Sequence, residues 1–147
     1  MREFNTSGPC DPDKHYTVMR ETLVAKGQAL VDSGRFFTIF APRQSGKTTY
    51  FQLLFRDLRT QGYLPIWISF EGLKTLGRAD FYAALQHRLQ LEFSDNGIQA
   101  KRILQHQVDF EIWLAEASNQ SQPLVLVIDE FEDIPTVVFE VGIVKVL

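Results

Sequence analysis

The sequence predicts an α/β fold of three layers, in which helices cover both faces of a mostly parallel sheet that is incomplete toward the C-terminus. Three apolar segments, 35–40, 64–70 and 124–128, have the continuity of buried strands. Segments with helical periodicity separate these strands along the chain. Strands that alternate with helices are typical of βαβ units, which form parallel sheets.

The N-terminal half begins with an irregular arm and continues with a helix, the first strand and a second helix. Residues 1–17 are rich in turn formers and predict the arm. One helix is predicted from Met19 to Val31, ended by Gly34 as a left-handed cap, and another from Thr49 to Thr60. The apolar stripe of the first helix consists of Leu23, Gly27, Leu30 and Val31, and that of the second consists of Phe51, Leu54, Phe55 and Leu58.

The C-terminal half contains two strands and two helices. The strand Leu64–Phe70 carries Pro65 near its start, which suits an edge strand or the beginning of a strand because proline cannot donate a ladder hydrogen bond. Asp80 is the predicted N-cap of the helix that follows it, and a further helix ends near Ala117. The aliphatic run Leu124–Ile128 predicts a central parallel strand that is covered on both faces. The apolar side of the last helix consists of Val108, Ile112 and Ala115, broadened by Phe110, Trp113, Leu114 and Ala117.

One octapeptide, Ala-Pro-Arg-Gln-Ser-Gly-Lys-Thr at 41–48, has the spacing of a phosphate-binding loop (Walker A), with alanine in place of the usual first glycine. In such a loop, successive backbone N–H groups point inward around nucleotide phosphates. Gly46 lets the backbone approach a phosphate, Lys47 reaches the β- and γ-phosphates, and the Thr48 hydroxyl binds Mg²⁺. The predicted nucleotide-binding residues are Ala41, Pro42, Arg43, Gln44, Ser45, Gly46, Lys47, Thr48 and Thr49.

The flanks of this loop decide its interpretation. A buried strand before it and a helix after it are the context that a phosphate loop requires, and the helix presents its positive end to the same anion. The alternative is a Gly-Lys-Thr turn that opens an ordinary helix. Within the loop, Arg43 either contacts a phosphate or a neighbouring subunit, or is a solvated surface side chain.

A second motif lies at the end of the last strand. Asp129 and Glu130 follow the aliphatic run, as in a Walker B motif at 124–130. The carboxyl end of a parallel strand faces the ligand site in open α/β sheets. Asp129 is therefore predicted to hold Mg²⁺, and Glu130 to polarise the water that attacks the γ-phosphate. The alternative is a solvated acidic turn, since Glu132 and Asp133 come next.

The remaining candidates and the composition narrow the range of functions. His15 and Tyr16 in the arm either contact an adenine ring or pack within the arm.

The net charge of −3 does not favour nucleic acid or an anionic membrane as a partner. No segment has the ~20 apolar residues of a membrane span. The single cysteine, Cys10, excludes an internal disulfide, and we expect a reducing, cytoplasmic location.

With both motifs, the chain resembles the P-loop ATPases of the AAA-like type, in the branch with an additional strand and a catalytic glutamate. More narrowly, it is similar to a bacterial group of AAA-like domain proteins. Members share a Phe-Asn-Thr-Ser-Gly-Pro arm with a His-Tyr pair, the Ala-Pro-Arg-Gln-[Ser/Thr]-Gly-Lys-Thr loop and a Trp-Ile-Ser-Phe-Glu-Gly segment. Here these stretches lie at 4–9, 15–16, 41–48 and 67–72, and the resemblance covers residues 3–135. It implies binding and hydrolysis of ATP with Mg²⁺ by the residues of the two motifs.

The family sheet places a further strand between the loop strand and the Walker B strand, and the chain offers too few residues for it. The tail Val137–Leu147 is apolar and β-prone, but a parallel crossover needs about a dozen residues, and only the short segment 131–136 precedes the tail. We expect an arm at 1–17, a partial nucleotide-binding domain at 18–135 and an atypical tail at 136–147, from a truncated or altered reading frame. We expect the unpaired edge of the incomplete sheet to be a surface for self-association or for a protein partner.

Three functions remain open on the sequence. The first is an ATP-binding domain of AAA-like type whose hydrolysis is weak or absent, because the family's sensor and arginine elements are missing and an arginine finger is worth about 10³–10⁵ in rate. The second is a nucleotide-binding switch or interaction module without useful turnover. The third, a small-molecule P-loop kinase, is disfavoured because such kinases usually lack a glutamate directly after the Walker B aspartate. The sequence has no Asn-Lys-x-Asp guanine motif, which favours adenine.

Overall fold

The computed structural model describes residues 3–6, 10–42, 45–99, 102–120 and 122–139 of the 147-residue chain. Its elements in chain order are α1 (Glu21–Asp32), α2 (Lys47–Thr60), β1 (Leu64–Ser69), α3 (Arg78–Asp95), α4 (Gln107–Gln120), β2 (Leu124–Asp129), a 3₁₀ turn (Phe131–Asp133) and α5 (Thr136–Phe139). The chain divides into two compact units, 1–61 and 62–147. The predicted mixture of helices with a parallel sheet is confirmed. None of the described helices combines the length and the apolar character that a bilayer crossing requires.

In the first unit, α1 and α2 approach closely at Gly27. This residue is buried, and a Cβ added to it would overlap the Tyr50 hydroxyl and lie 3.2 Å from Leu54 Cδ2. The same hydroxyl donates a hydrogen bond to the Leu23 carbonyl at 3.3 Å. Glycine is normally unfavourable inside a helix, so its presence here reflects the space that the second helix needs.

The two helices of the first unit differ in how well their predicted stripes match their buried faces. All four stripe residues of α2 are buried, as predicted. In α1, Leu23 is 49% exposed and Leu30 is 37% exposed, whereas Val24 and Gly27 are buried. The buried side of α1 therefore contains Val24 and Gly27 and leaves Leu23 and Leu30 exposed.

The predicted strand at 35–40 is not a strand in the structure. Exposed and half-buried side chains alternate over residues 36–40, which is typical of an extended backbone, and Phe36 and Phe40 are 82% and 92% exposed. The physical reason is the lack of a neighbour. An extended segment becomes a strand only when a second one supplies ladder hydrogen bonds. Within the described residues, the sheet consists of β1 and β2 alone.

In the second unit, β1 and β2 form a parallel ladder in which Leu64 lies opposite Leu124 and Ser69 opposite Asp129. Both strands lie where the sequence predicts them. β1 is mostly buried, but every residue of β2 is only half-buried. The prediction that β2 is central and covered on both faces is therefore wrong for the described residues, because β2 pairs there with β1 alone.

Helix α3 of the second unit starts earlier than predicted. α3 begins at Arg78 with Gly77 as its N-cap, so Asp80 lies within the first turn rather than before it. In α4, the buried side is formed by Phe110, Trp113 and Ala117, while Val108 is 55% exposed. The core of this unit is built by residues of β1, α3 and α4: Ile66, Ile68, Phe81, Leu85, Leu89, Phe93, Phe110 and Trp113.

The start of the predicted β-prone tail is helical. Residues Thr136–Phe139 form α5, and Val138 is buried at 2% exposure. Burial of this valine against the core compensates for its modest helix propensity. The rest of the predicted tail, 140–147, lies outside the described residues.

Asp109 stabilises the start of α4. Its Oδ2 accepts the backbone N–H groups of Gln105 at 3.0 Å and His106 at 3.2 Å, and lies 2.8 Å from His106 Nδ1. Arg102 Nη1 lies 3.7 Å from the other carboxylate oxygen. Burial acts to raise the pKa of Asp109, but the two backbone hydrogen bonds and the interactions with His106 and Arg102 outweigh it and lower that pKa.

We expect Gly27→Ala to lower the free energy of unfolding by about 1–3 kcal/mol, because the added methyl overpacks the contact with α2. In a Tyr50→Phe background the cost should be smaller, since the hydroxyl that the methyl meets is gone. Urea unfolding of the four combinations measures both values. Lys26→Ala, exposed on the same helix, is the control and should change the free energy by less than about 0.5 kcal/mol. An unchanged or raised stability of Gly27→Ala would contradict the close contact.

We expect Asp109→Asn to lower the melting temperature at neutral pH, with a smaller loss in acid. The folded-state pKa of Asp109 is lowered, so the ionised side chain stabilises the fold above the unfolded-state pKa. That stabilisation is lost as the pH falls through the folded-state pKa. The difference between wild type and variant should therefore narrow below about pH 4. Asp80→Asn, an exposed first-turn acid of α3, is the control. A difference that is constant with pH would contradict this role.

Candidate functional site

The described part of the predicted phosphate loop forms a turn that leads directly into α2. The Ser45 N–H donates to the Pro42 carbonyl at 3.2 Å, and the Tyr50 N–H donates to the Gly46 carbonyl at 2.9 Å. α2 therefore begins at Lys47, two residues before the predicted start. Residues 43–44, which include the predicted Arg43 and Gln44, lie outside the described residues.

Gly46 makes the turn from the loop into the helix. Its backbone is left-handed, with φ 80° and ψ 27°, in a region that glycine enters without a Cβ penalty. As the N-cap of α2 it has no side chain that could cap the first turn. The following side chains remain accessible, since Lys47 is half-buried and Thr48 is exposed.

The first turn of α2 differs electrostatically from that of the other long helices. Among the described helices of twelve or more residues, α1, α3 and α4 each carry an acid in the first turn, namely Glu21, Asp80 and Asp109. α2 carries none. The positive end of its helix dipole is therefore not offset by an acidic side chain of its own first turn, which favours an external anion there.

Arg20 contacts this loop, and the sequence interpretation missed it. Its Nη2 donates to the Ser45 carbonyl at 2.7 Å, and a Cβ on Gly46 would lie 2.8 Å from the same nitrogen. Arg20 has a left-handed backbone, with φ 52°, which costs a non-glycine residue about 1–2 kcal/mol. No motif marks an arginine in this position, so the sequence offers no signal that could have identified it.

The N-terminal arm is attached to α2 through Thr49. The Cys10 N–H donates to Thr49 Oγ1 at 3.2 Å. Thr49 was predicted as a nucleotide-binding residue, and in the structure its hydroxyl holds the arm. Thr48 is the exposed threonine of the pair.

His15 and Tyr16 lie in this arm. His15 Nδ1 accepts the Asp11 N–H at 2.9 Å, and its backbone forms a bridge with Glu3. This geometry matches the packing alternative for His15. Tyr16 is 57% exposed, and its ring centroid lies 4.9 Å from that of Phe4.

In the second unit, the ladder places Asp129 and Glu130 at the carboxyl end of the parallel sheet. Ser69 lies opposite Asp129, and the Phe70 N–H donates to the Asp129 carbonyl at 2.8 Å, which extends the ladder by one bond. The Asp129 carboxylate accepts the Glu130 N–H at 3.0 Å. This is the end of a parallel sheet at which ligands bind in open α/β folds.

Glu130 makes a sharp turn directly after β2. Its backbone is left-handed, with φ 51° and ψ 45°, and it is the N-cap of the 3₁₀ turn Phe131–Asp133. Among the described residues, only Arg20 and Glu130 are non-glycine residues with positive φ. Residues held in such strained conformations are concentrated at functional sites.

Three further side chains hold the carboxyl end of the sheet in place. The Gly72 N–H donates to Asp133 Oδ2 at 3.1 Å, so Asp133 ties the loop after β1 to the turn after β2. Arg88 of α3 donates to the carbonyls of Ser69 and Glu71. The ring of Phe131 stacks on that of Phe70, with centroids 6.1 Å apart. Asp133, one of the further acids that follow the Asp129–Glu130 pair, is thus part of this network.

The donor groups fit a metal ion that is bound together with nucleotide phosphates. The described residues contain no group of three or more His, Cys, Asp or Glu side chains close enough to hold a metal together. Mg²⁺ usually keeps several waters and takes only one or two protein carboxylates in addition to substrate phosphates. Asp129 supplies one such carboxylate at the end of β2.

Comparison of the chain with protein-family models, with curated proteins and with solved structures finds no match. A function for the chain is therefore proposed from the two motifs and their local geometry.

We expect Glu130→Gly to be more stable than Glu130→Ala by about 1 kcal/mol, because glycine adopts the left-handed conformation without strain. Both variants lack the carboxylate, so their difference isolates the backbone. Urea unfolding provides the two free energies. The control is the same pair at Glu132, within the 3₁₀ turn, where glycine should be the less stable of the two. Equal stability of the Glu130 variants would show that the turn is not strained.

Proposed function

We propose that the chain is an ATP-binding P-loop domain of AAA-like type, with the three-layer fold of that class and weak or absent hydrolysis. The observation that carries this proposal is the local geometry of the loop. The left-handed Gly46 leads into a helix whose first turn contains Lys47, Thr48 and Thr49 and no acid. A helix start of this kind favours anions, and the G-K-T sequence is the one that phosphate loops use.

At the phosphates, the chain supplies backbone donors and one cation. The N-terminal end of α2 attracts the phosphate charge through its helix dipole. Lys47 adds a positive charge for the β- and γ-phosphates. Ala41 and Pro42, both exposed, form the approach to the loop. The arm is attached to α2 at Thr49, and the exposed ring of Tyr16 in this arm is proposed to contact the adenine ring.

At the acidic pair, the chain supplies a metal ligand and a base. When bound, Mg²⁺ would neutralise part of the negative charge on the phosphates. Asp129 at the end of β2 and Thr48 in the first turn of α2 are each proposed, from their own motif, as a ligand of this ion. Glu130 is proposed to orient the attacking water, and its left-handed backbone determines the direction in which the side chain leaves the sheet.

Weak turnover follows from the surroundings of β2. In the AAA-like proteins that the sequence resembles, a strand beside the Walker B strand carries a polar residue that senses the γ-phosphate, and an arginine from a lid or a neighbour raises the rate. Within the described residues β2 pairs with β1 alone, and all its residues are half-buried. This observation favours the second candidate, a nucleotide-binding switch or interaction module without useful turnover. In either case, the second edge of β2 is the place at which a protein partner or a second copy would add a strand.

The test combines a binding and a turnover measurement. Binding of a fluorescent ATP analogue with Mg²⁺ is titrated, and phosphate release from ATP is followed in parallel, for wild type, Lys47→Ala and Glu130→Gln. We expect Lys47→Ala to weaken binding more than about tenfold, since it removes the phosphate cation. Glu130→Gln should bind as wild type does and, where wild type releases phosphate, release it at least about tenfold more slowly, the lower part of the range for loss of a general base.

The controls remove the same groups elsewhere on the surface. Lys26→Ala on α1 and Glu132→Gln in the 3₁₀ turn, both exposed, should bind and turn over as wild type does. Binding by wild type without phosphate release would support the module instead of the enzyme. Equal affinity of wild type and Lys47→Ala would overturn the phosphate-loop proposal itself.

A further inference from the structure

We propose that Arg20 is a positioning residue of the phosphate loop, which fixes the peptide bond between Ser45 and Gly46 in the orientation that receives phosphate. This inference rests on the proposed function, because it assigns a role within the same site. It concerns a residue outside both motifs, separated from the loop by the whole of α1.

The contact between Arg20 and the loop is direct. The guanidinium Nη2 donates to the Ser45 carbonyl at 2.7 Å, a short distance for a charge-assisted hydrogen bond. The same group lies against the α-carbon of Gly46, since a Cβ added there would be 2.8 Å from Nη2 and 3.3 Å from Cζ. The guanidinium thus occupies the space that any side chain at position 46 would need.

The bond to the Ser45 carbonyl also fixes a donor. The Ser45 carbonyl and the Gly46 N–H belong to one planar trans peptide bond, so they point in opposite directions. Because the plane is rigid, a guanidinium that fixes the direction of the Ser45 carbonyl also keeps the Gly46 N–H pointing in the opposite direction. Phosphate loops bind their ligand with such N–H groups, and a rotated peptide plane would present a carbonyl oxygen to the anion instead.

Arg20 is itself held rigidly at the start of α1. Its carbonyl accepts the N–H groups of Leu23 at 2.8 Å and Val24 at 3.0 Å. α1 is packed on α2 through the close contact at Gly27. The guanidinium therefore reaches the loop from a helix that is anchored to the helix following the loop. The left-handed backbone of Arg20 directs its side chain from the start of α1 toward the loop.

The test compares four variants with wild type. Arg20→Ala and Arg20→Gly remove the guanidinium, and the glycine also adopts the left-handed backbone freely. Arg20→Lys restores a cation and a donor. Arg59→Ala is the matched control: it removes an arginine from the last turn of α2, about 18 Å along the helix from Lys47. Hydrogen exchange of the loop amides is measured without nucleotide, and affinity is measured with the fluorescent ATP analogue and by competition with Mg-pyrophosphate.

We expect Arg20→Ala and Arg20→Gly to exchange the Ser45 amide, which donates to the Pro42 carbonyl, about tenfold faster than wild type, because the guanidinium no longer holds the loop turn. Both should bind the ATP analogue and pyrophosphate about tenfold more weakly, which corresponds to about 1.4 kcal/mol. Arg20→Lys should recover part of both losses, and Arg59→Ala should match wild type.

Several results would overturn the assignment. If Arg20→Gly behaves as wild type does, the backbone turn matters and the guanidinium does not. If the ATP analogue binds more weakly but pyrophosphate does not, Arg20 acts on the base and not on the phosphate loop. If wild type does not bind the analogue, the proposed function fails, and the exchange rates alone decide whether Arg20 holds the peptide plane.

Discussion

The parallel ladder between β1 and β2 is the constraint on which the second unit depends. It holds six residue pairs in register, from Leu64 opposite Leu124 to Ser69 opposite Asp129. Because side chains alternate along a strand, a slip of one residue would turn Asp129 to the other face of the sheet. The register therefore determines where the acidic pair leaves the sheet. The bond from Gly72 to Asp133 then holds the two loops at that end together, and Arg88 binds the loop after β1.

Each unit contains one strained backbone position at its proposed functional residues. Arg20 and Glu130 have left-handed backbones, each costing about 1–2 kcal/mol. Since whole domains are stable by only about 5–15 kcal/mol, such conformations persist only where surrounding contacts favour them. Arg20 is held by its bond to the loop and by the first turn of α1. Glu130 is held by its carbonyl, which accepts the Asp133 N–H at 2.9 Å.

Two glycines in the first unit are required for different physical reasons. Gly27 has ordinary helical geometry and is needed because Tyr50 and Leu54 occupy the space of a side chain. Gly46 is needed for its left-handed backbone and also for the guanidinium that lies against it. One glycine packs the helices and the other shapes the loop, so the position of the loop depends on the packing of α1 on α2. A nucleotide-binding role would thus depend on residues well outside the phosphate motif.

The sequence by itself determined the elements whose pattern is local: the stripe of α2, the positions of β1 and β2, and the residue types of both motifs. Only the tertiary structure decided that 35–40 is extended without a ladder and that β2 is half-buried, because both outcomes depend on neighbours distant in the sequence. It also identified Arg20 and the strained turn at Glu130. Periodicity reports which face of an element is apolar, whereas a guanidinium on a loop carbonyl or a left-handed backbone arises only when separate segments meet.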